Sequence, residues 1–182
     1  MLSKEEKDWL LKLARDSIGG RLQKNVAESN QPDGDALKQP CGAFVTLHKG
    51  GALRGCIGLV EALKPLYQSV REMALAAAFE DPRFPSLSRD EFDDIDIEIS
   101  VMSPLKRIKD VSEIEVGKHG IIMKRGGYQG LLLPQVATEQ GWDRDTFLEH
   151  TCYKSGMRGD CWKKPDTEIY IFSAEVFGEK NL

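Results

Sequence analysis

The 182-residue chain has no Cys-x-x-Cys pair among its four cysteines, at 41, 56, 152 and 161. A zinc ribbon or an iron–sulfur radical enzyme therefore has no ligand set within this chain alone. Histidine is scarce as well, at three residues, so a multi-histidine metal centre would need all of them to converge. No metal and no cofactor is expected. Neither Gly-x4-Gly-Lys-Ser/Thr nor Gly-x-Gly-x-x-Gly occurs, which leaves nucleotide-cofactor binding without a phosphate-cradling loop. No apolar run approaches the ~18 residues of a membrane helix. The N-terminus, Met1-Leu2-Ser3-Lys4-Glu5-Glu6, is charged and lacks a signal-peptide core. A cytoplasmic location away from membranes is the expectation, and with it four reduced thiols. The net charge of −4 argues against a generic nucleic-acid coat but leaves room for a local basic patch.

What is present is an ordinary globular composition, 41% hydrophobic and 30% charged. Ser3 and Glu6 have capping-box spacing, with Leu2 as a staple, and open a helix that should stop at Gly19-Gly20. Residues 28–40 are polar and read as a loop. Strands Ala43–His48 and Leu53–Leu59 flank Gly50-Gly51, which suits a tight primed hairpin turn. Pro65 opens a helix through Phe79, ended by Asp81-Pro82. Ile95, Ile97, Ile99 and Val101 alternate with Asp96, Glu98 and Ser100 as a half-buried strand does. Two short strands, Gly120–Lys124 and Tyr128–Leu133, come next, and Pro134-Gln135 should break the second. Asp143 caps a helix from Arg144 to Lys154, and residues 168–177 form a last apolar strand. Strands and helices do not alternate regularly. The fold class is α+β: a mainly antiparallel sheet covered by helices, with residues 115–162 as a candidate smaller lobe of a single domain over 1–182 and a cleft between lobes as the default site.

The segment Leu53-Arg54-Gly55-Cys56-Ile57-Gly58 carries the strongest chemical signal. In a regular strand residues i and i+2 share a face, so Arg54 and Cys56 would lie together. A cation beside a thiol raises its thiolate fraction. Gly55 and Gly58 would let a ligand or another backbone come close. A two-residue turn pairs Lys49 with Ala52, Leu47 with Arg54 and Val45 with Cys56, which puts His48 on the face opposite Cys56. A one-residue bulge would reverse that placement. Cys56 is the candidate nucleophile, against the plainer reading of a small buried side chain with Arg54 salt-bridged to a carboxylate. His119, in Gly117-Lys118-His119-Gly120, is the candidate base. Arg54, Gly55, Gly58, Arg83, Glu98 and Lys154 are the candidate substrate-binding residues. Each has a structural alternative: an Asp81–Arg83 clamp, a solvated sheet face at Glu98, a helix-ending cation at Lys154.

Taken with their flanks, these residues resemble the AMMECR-one domain family, whose bacterial and archaeal members are also called AmmeMemoRadiSam system protein A. Gly42 to Leu47 with Leu53 to Gly58, Asp81 to Phe84, Ile97 to Val101, Lys118 to Ile121, Leu132 to Val136, Trp142 to Leu148 and Cys152 to Gly156 follow the family's order. The resemblance spans residues 40–178, and Cys41 and Cys161 depart from the pattern. It implies a place in a modification pathway beside a Memo-type protein and a radical SAM enzyme, acting on RNA or another macromolecule. Two other functions stay open: a non-catalytic binding or adaptor module, and a stand-alone cysteine-dependent enzyme.

Overall fold

A computed structural model describes residues 2–25 and 31–180. The chain divides into two compact units, one formed by residues 1–102 and 175–182, the other by 103–174. The stretch 115–162, read as a smaller lobe, lies inside the second unit.

The first unit opens with helix α1 (Lys4–Leu22). Its Ser3–Glu6 capping box is formed, and its buried stripe is Leu10, Ala14 and Ile18. The helix runs through Gly19-Gly20 instead of stopping there, because Gly19 packs under the Phe92 ring where a Cβ would crowd it. Residues 28–30 of the expected loop lie outside the described residues. The rest of it contains a one-turn helix, α2 (Asp35–Lys38). The hairpin consists of β1 (Ala43–Lys49) and β2 (Ala52–Leu59), turning at Gly50 and Gly51. Both glycines have positive φ, 59° and 83°, as a type I′ turn demands. Helix α3 (Leu66–Phe79) follows Pro65, and β3 (Ile95–Met102) pairs antiparallel with β1. Ala43, Val45 and Leu47 of β1 with Ile97 and Ile99 of β3 face a core built with α1 and α3. The opposite face carries Phe44, Thr46 and His48, all half-buried.

In the second unit, β4 (Lys106–Ile108) precedes the antiparallel pair β5 (His119–Arg125) and β6 (Tyr128–Leu132). Two helices follow, α4 (Pro134–Glu139) and α5 (Arg144–Lys154). Pro134 does end β6, yet it does so by starting α4 at a position where its missing N–H costs nothing. Asp143 caps α5 as expected, accepting from the Thr146 amide at 2.8 Å. The last strand, β7 (Glu168–Gly178), pairs with β4 and β5. Ile121, Met123, Phe147, Leu148, Ile169 and Ile171 form this unit's core. All strand pairings with a described register are antiparallel, and the class is α+β.

One expectation about the cysteines fails. Cys152 and Cys161 are joined as a disulfide, buried in the second core, with Met123 Sδ packed 3.4 Å from each sulfur. Four reduced thiols are the expectation for a cytoplasmic chain, and no Cys-x-x-Cys spacing marks this pair. The turn after α5 brings two cysteines nine residues apart together instead. Cys41 and Cys56 are free.

Candidate functional site

The register of β1 with β2 slips by one residue between Leu47 and His48. Leu47 pairs with Gly55 and His48 with Leu53, so Arg54 is the inserted residue of a β-bulge. Packing explains the position. A Cβ on Gly55 would stand 2.2 Å from the Ala77 carbonyl oxygen, so α3 rests directly on the backbone of β2 there.

The bulge overturns the expectation that Arg54 and Cys56 share a face. Arg54 shares its partner with Lys49, which alternates with Val45 and Leu47 on the helix-covered side. Its Nε donates to Glu91 Oε1 at 3.0 Å and its Nη2 to Oε2 at 2.9 Å, while Lys49 Nζ reaches Oε1 at 3.2 Å. Nη2 also donates to the Pro85 carbonyl at 3.0 Å. The guanidinium stands 5.9 Å from the Phe84 ring, and its remaining Nη1 is buried without a hydrogen bond. The Arg54 side chain is only 10% exposed. The Arg54 guanidinium, then the Ser88 amide and Lys49, hold the Glu91 carboxyl down at about 2. The plainer reading of Arg54, a structural salt bridge, is the one the geometry supports.

Cys56 lies on the other face. It pairs with Thr46, whose hydroxyl donates to Cys56 Sγ at 3.2 Å. Thr46 in turn pairs with Glu98 across β3, giving a cross-strand row Cys56–Thr46–Glu98. His48, two residues beyond Thr46, is on this face too. The slip therefore reverses the placement of His48 opposite Cys56. His48 and Glu98 are half-buried and line one shallow cavity of about 260 Å³.

β2 is an edge strand, and its outer edge is blunted by side chains at Cys56. The Cys56 amide donates to Asp81 Oδ2 at 2.9 Å, and its carbonyl accepts from Arg83 Nη2 at 3.1 Å. Asp81 and Arg83 form a bidentate pair, at 2.9 and 2.7 Å, so one ion pair satisfies the outward N–H and C=O as a neighbouring strand would. The Asp81 side chain is 1% exposed. Hydrogen bonds from Arg83, then from the Cys56 and Arg83 amides, hold its carboxyl well below the usual range against the penalty of burial. Arg83 itself is 54% exposed and lies over Phe84. The cation next to Cys56 is therefore Arg83, not Arg54. Gly58 faces Phe44, whose ring occupies the space a Cβ would need, and this accounts for the second glycine.

Two candidate residues belong to the second unit. His119 begins β5, and its Nδ1 accepts the Glu115 amide at 3.1 Å, a local loop closure. Lys154 ends α5 and is exposed. Among the other cysteines, Cys41 donates to the Met102 carbonyl at 3.0 Å, and burial pushes its thiol up. Sequence reasoning missed Glu91 and Thr46. Ser88 to Glu91 has capping-box spacing, which is now formed and was the available signal for Glu91. Nothing short of the register could single out Thr46.

This is a two-unit α+β protein whose edge strand carries a half-buried free cysteine clamped through its backbone. The AMMECR1 family model matches residues 11–177, and the chain belongs to that family. It is 45% identical to Protein MK0488 of Methanopyrus kandleri, over 98% of this chain and 91% of that one. A protein of Methanothermobacter thermautotrophicus is 46% identical, with 98% and 96% covered. The crystal structure of the uncharacterised protein PH0010 from Pyrococcus horikoshii is similar at a TM-score of 0.87 and 38% identity, covering 96% of this chain and 93% of its own.

Proposed function

We propose that this chain is one component of a macromolecule-modification pathway, working beside a Memo-type protein and a radical SAM enzyme, and that it offers a substrate-binding surface at Leu53–Gly58. Family membership supports the pathway part of this reading. One observation carries the surface. Arg54 and the outward backbone groups of Cys56 are consumed by internal clamps, yet Cys56 stays a free, half-buried cysteine beside the Thr46 hydroxyl, on the face that also holds His48 and Glu98. The Asp81–Arg83 pair thus fixes the backbone that carries this free thiol. Such a group suits covalent attachment of a substrate or close contact with one, with Arg83 at hand for an anionic portion.

The test is the alkylation rate of each cysteine in the native protein, followed by mass spectrometry over a range of pH. Cys56 is expected to react well before Cys41, and to be protected when the Memo-type protein and the radical SAM enzyme are added together. A Cys56 that stays inert until unfolding would remove the surface. That result would favour a non-catalytic adaptor, for which the two clamps alone suffice. Reactivity without protection by either protein would remove the pathway.

A further inference from the structure

The second unit contains a cavity of about 550 Å³ that plays no part in the Cys56 surface. Its volume falls within the range of small-ligand sites. One wall is the β5–β6 turn, Arg125-Gly126-Gly127-Tyr128, and the other is the loop after α5 from Gly156 to Asp160. The disulfide-bonded Cys161 also lines it, so the loop wall is tied covalently to α5.

Three features of this cavity match one ligand chemistry. The first is an exposed aromatic plane. Tyr128 is 59% exposed, and its ring runs along Gly156, where a Cβ would come within 3.5 Å of it. The second is open backbone. A Cβ on Gly127 would meet nothing within 4 Å, and Gly127 lacks the positive φ found at Gly126, so neither packing nor the turn requires glycine there. The third is charge. The walls carry Arg125, Arg158 and Lys164 against Asp160 and Asp166, one cation in excess. Asp160 serves Lys164 at 3.3 Å and leaves Arg158 at 4.0 Å and 94% exposed. Arg125 is paired with Asp166 at 2.8 Å and helps shape the wall without contributing free charge.

We infer that this cavity binds single-stranded nucleic acid, one base stacking on Tyr128 while Arg158 meets a phosphate. An acidic peptide would use the cations but would have no need of the aromatic plane or the bare Gly127. A duplex hides the faces of its bases.

The test uses the full chain and a fluorescein-labelled single strand of about ten nucleotides, as RNA and as DNA, read by anisotropy near ~50 mM salt. Tyr128→Ala should weaken binding about tenfold or more, and Tyr128→Phe, which keeps the ring, should bind as the parent does. Arg158→Ala should weaken all sequences alike and reduce the salt slope by about 0.7. Both residues are exposed, so folding is not at stake. The inference is overturned by no anisotropy rise with either strand, by Tyr128→Ala binding like the parent, or by a polyglutamate peptide or a duplex binding as tightly. It is also overturned if a mononucleotide binds and strand length adds nothing. Cys56 alkylation is measured independently, so either proposal can fail alone.

Discussion

Replacing Glu91 with glutamine tests the clamp that the bulge creates. Glu91→Gln keeps the shape and an acceptor for the Ser88 amide but removes the charge facing Arg54, whose side chain is 10% exposed. Two routes give the cost. Glu91 falls from its ordinary 4.5 to about 2, and a change of that size corresponds to about 3 kcal/mol favouring the charged form in the folded chain. Removing one partner of a fully buried ion pair costs roughly 3–5 kcal/mol, and less here, where the Glu91 side chain is 23% exposed. The expected loss at pH 7 is therefore about 2 kcal/mol. Because the folded-state value is lowered, this stability is fully present above about pH 4.5 and disappears as the pH falls towards 2. The difference between parent and Glu91→Gln should shrink over the same interval. Asp81 adds stability of the same sign, but it is common to both proteins and cancels.

The assay is urea unfolding followed by tryptophan fluorescence. Trp9 lies in the first unit, Trp142 and Trp162 in the second, so a background with Trp142→Phe and Trp162→Phe reports the first unit alone. A Glu91→Gln protein within about 1 kcal/mol of its parent at pH 7 would refute the buried-clamp reasoning. So would a gap that stays constant from pH 5 to pH 2.5.

Gly55→Ala should lower stability by about 1–3 kcal/mol in thermal melts, since its Cβ would stand 2.2 Å from the Ala77 carbonyl oxygen and α3 would have to move. The double substitution Cys152→Ser, Cys161→Ser should cost the second unit about 2.5 kcal/mol, the loop-closure value for a bridge spanning nine residues. Unfolding read from Trp142 and Trp162 measures it, and an unchanged midpoint would mean that the bridge does not form in solution. Asp81→Ala leaves the Cys56 amide without its acceptor, so exchange of that amide should speed up toward the rate of an open strand edge. Slow exchange in that variant would show that something other than the Asp81–Arg83 pair closes the edge.

Local signals in the sequence correspond to local structure. Ser3 with Glu6, Asp143 before α5, Gly50-Gly51 and the alternation from Ile95 to Val101 each specify an element through contacts a few residues apart, and each element formed. β4 escaped notice because three residues, two of them charged, show no period, and it exists only through pairing with β7. The disulfide escaped because its partners lack a diagnostic spacing.

The geometry read from the sequence for Arg54, Cys56 and His48 is wrong, for one physical reason. Alternation in a strand assumes an unbroken register, and a single inserted residue inverts every statement about faces beyond it. That insertion is set by how closely α3 approaches Gly55, a contact with Ala77 that lies 22 positions further along the chain. Its consequence is an exchange of roles between two segments. Arg54 leaves Cys56 for Glu91, and Arg83, from the segment after α3, takes the place beside the thiol together with Asp81. Leu53–Gly58 and Asp81–Phe84 are therefore one structural device. Either half studied alone would give a misleading account of Cys56.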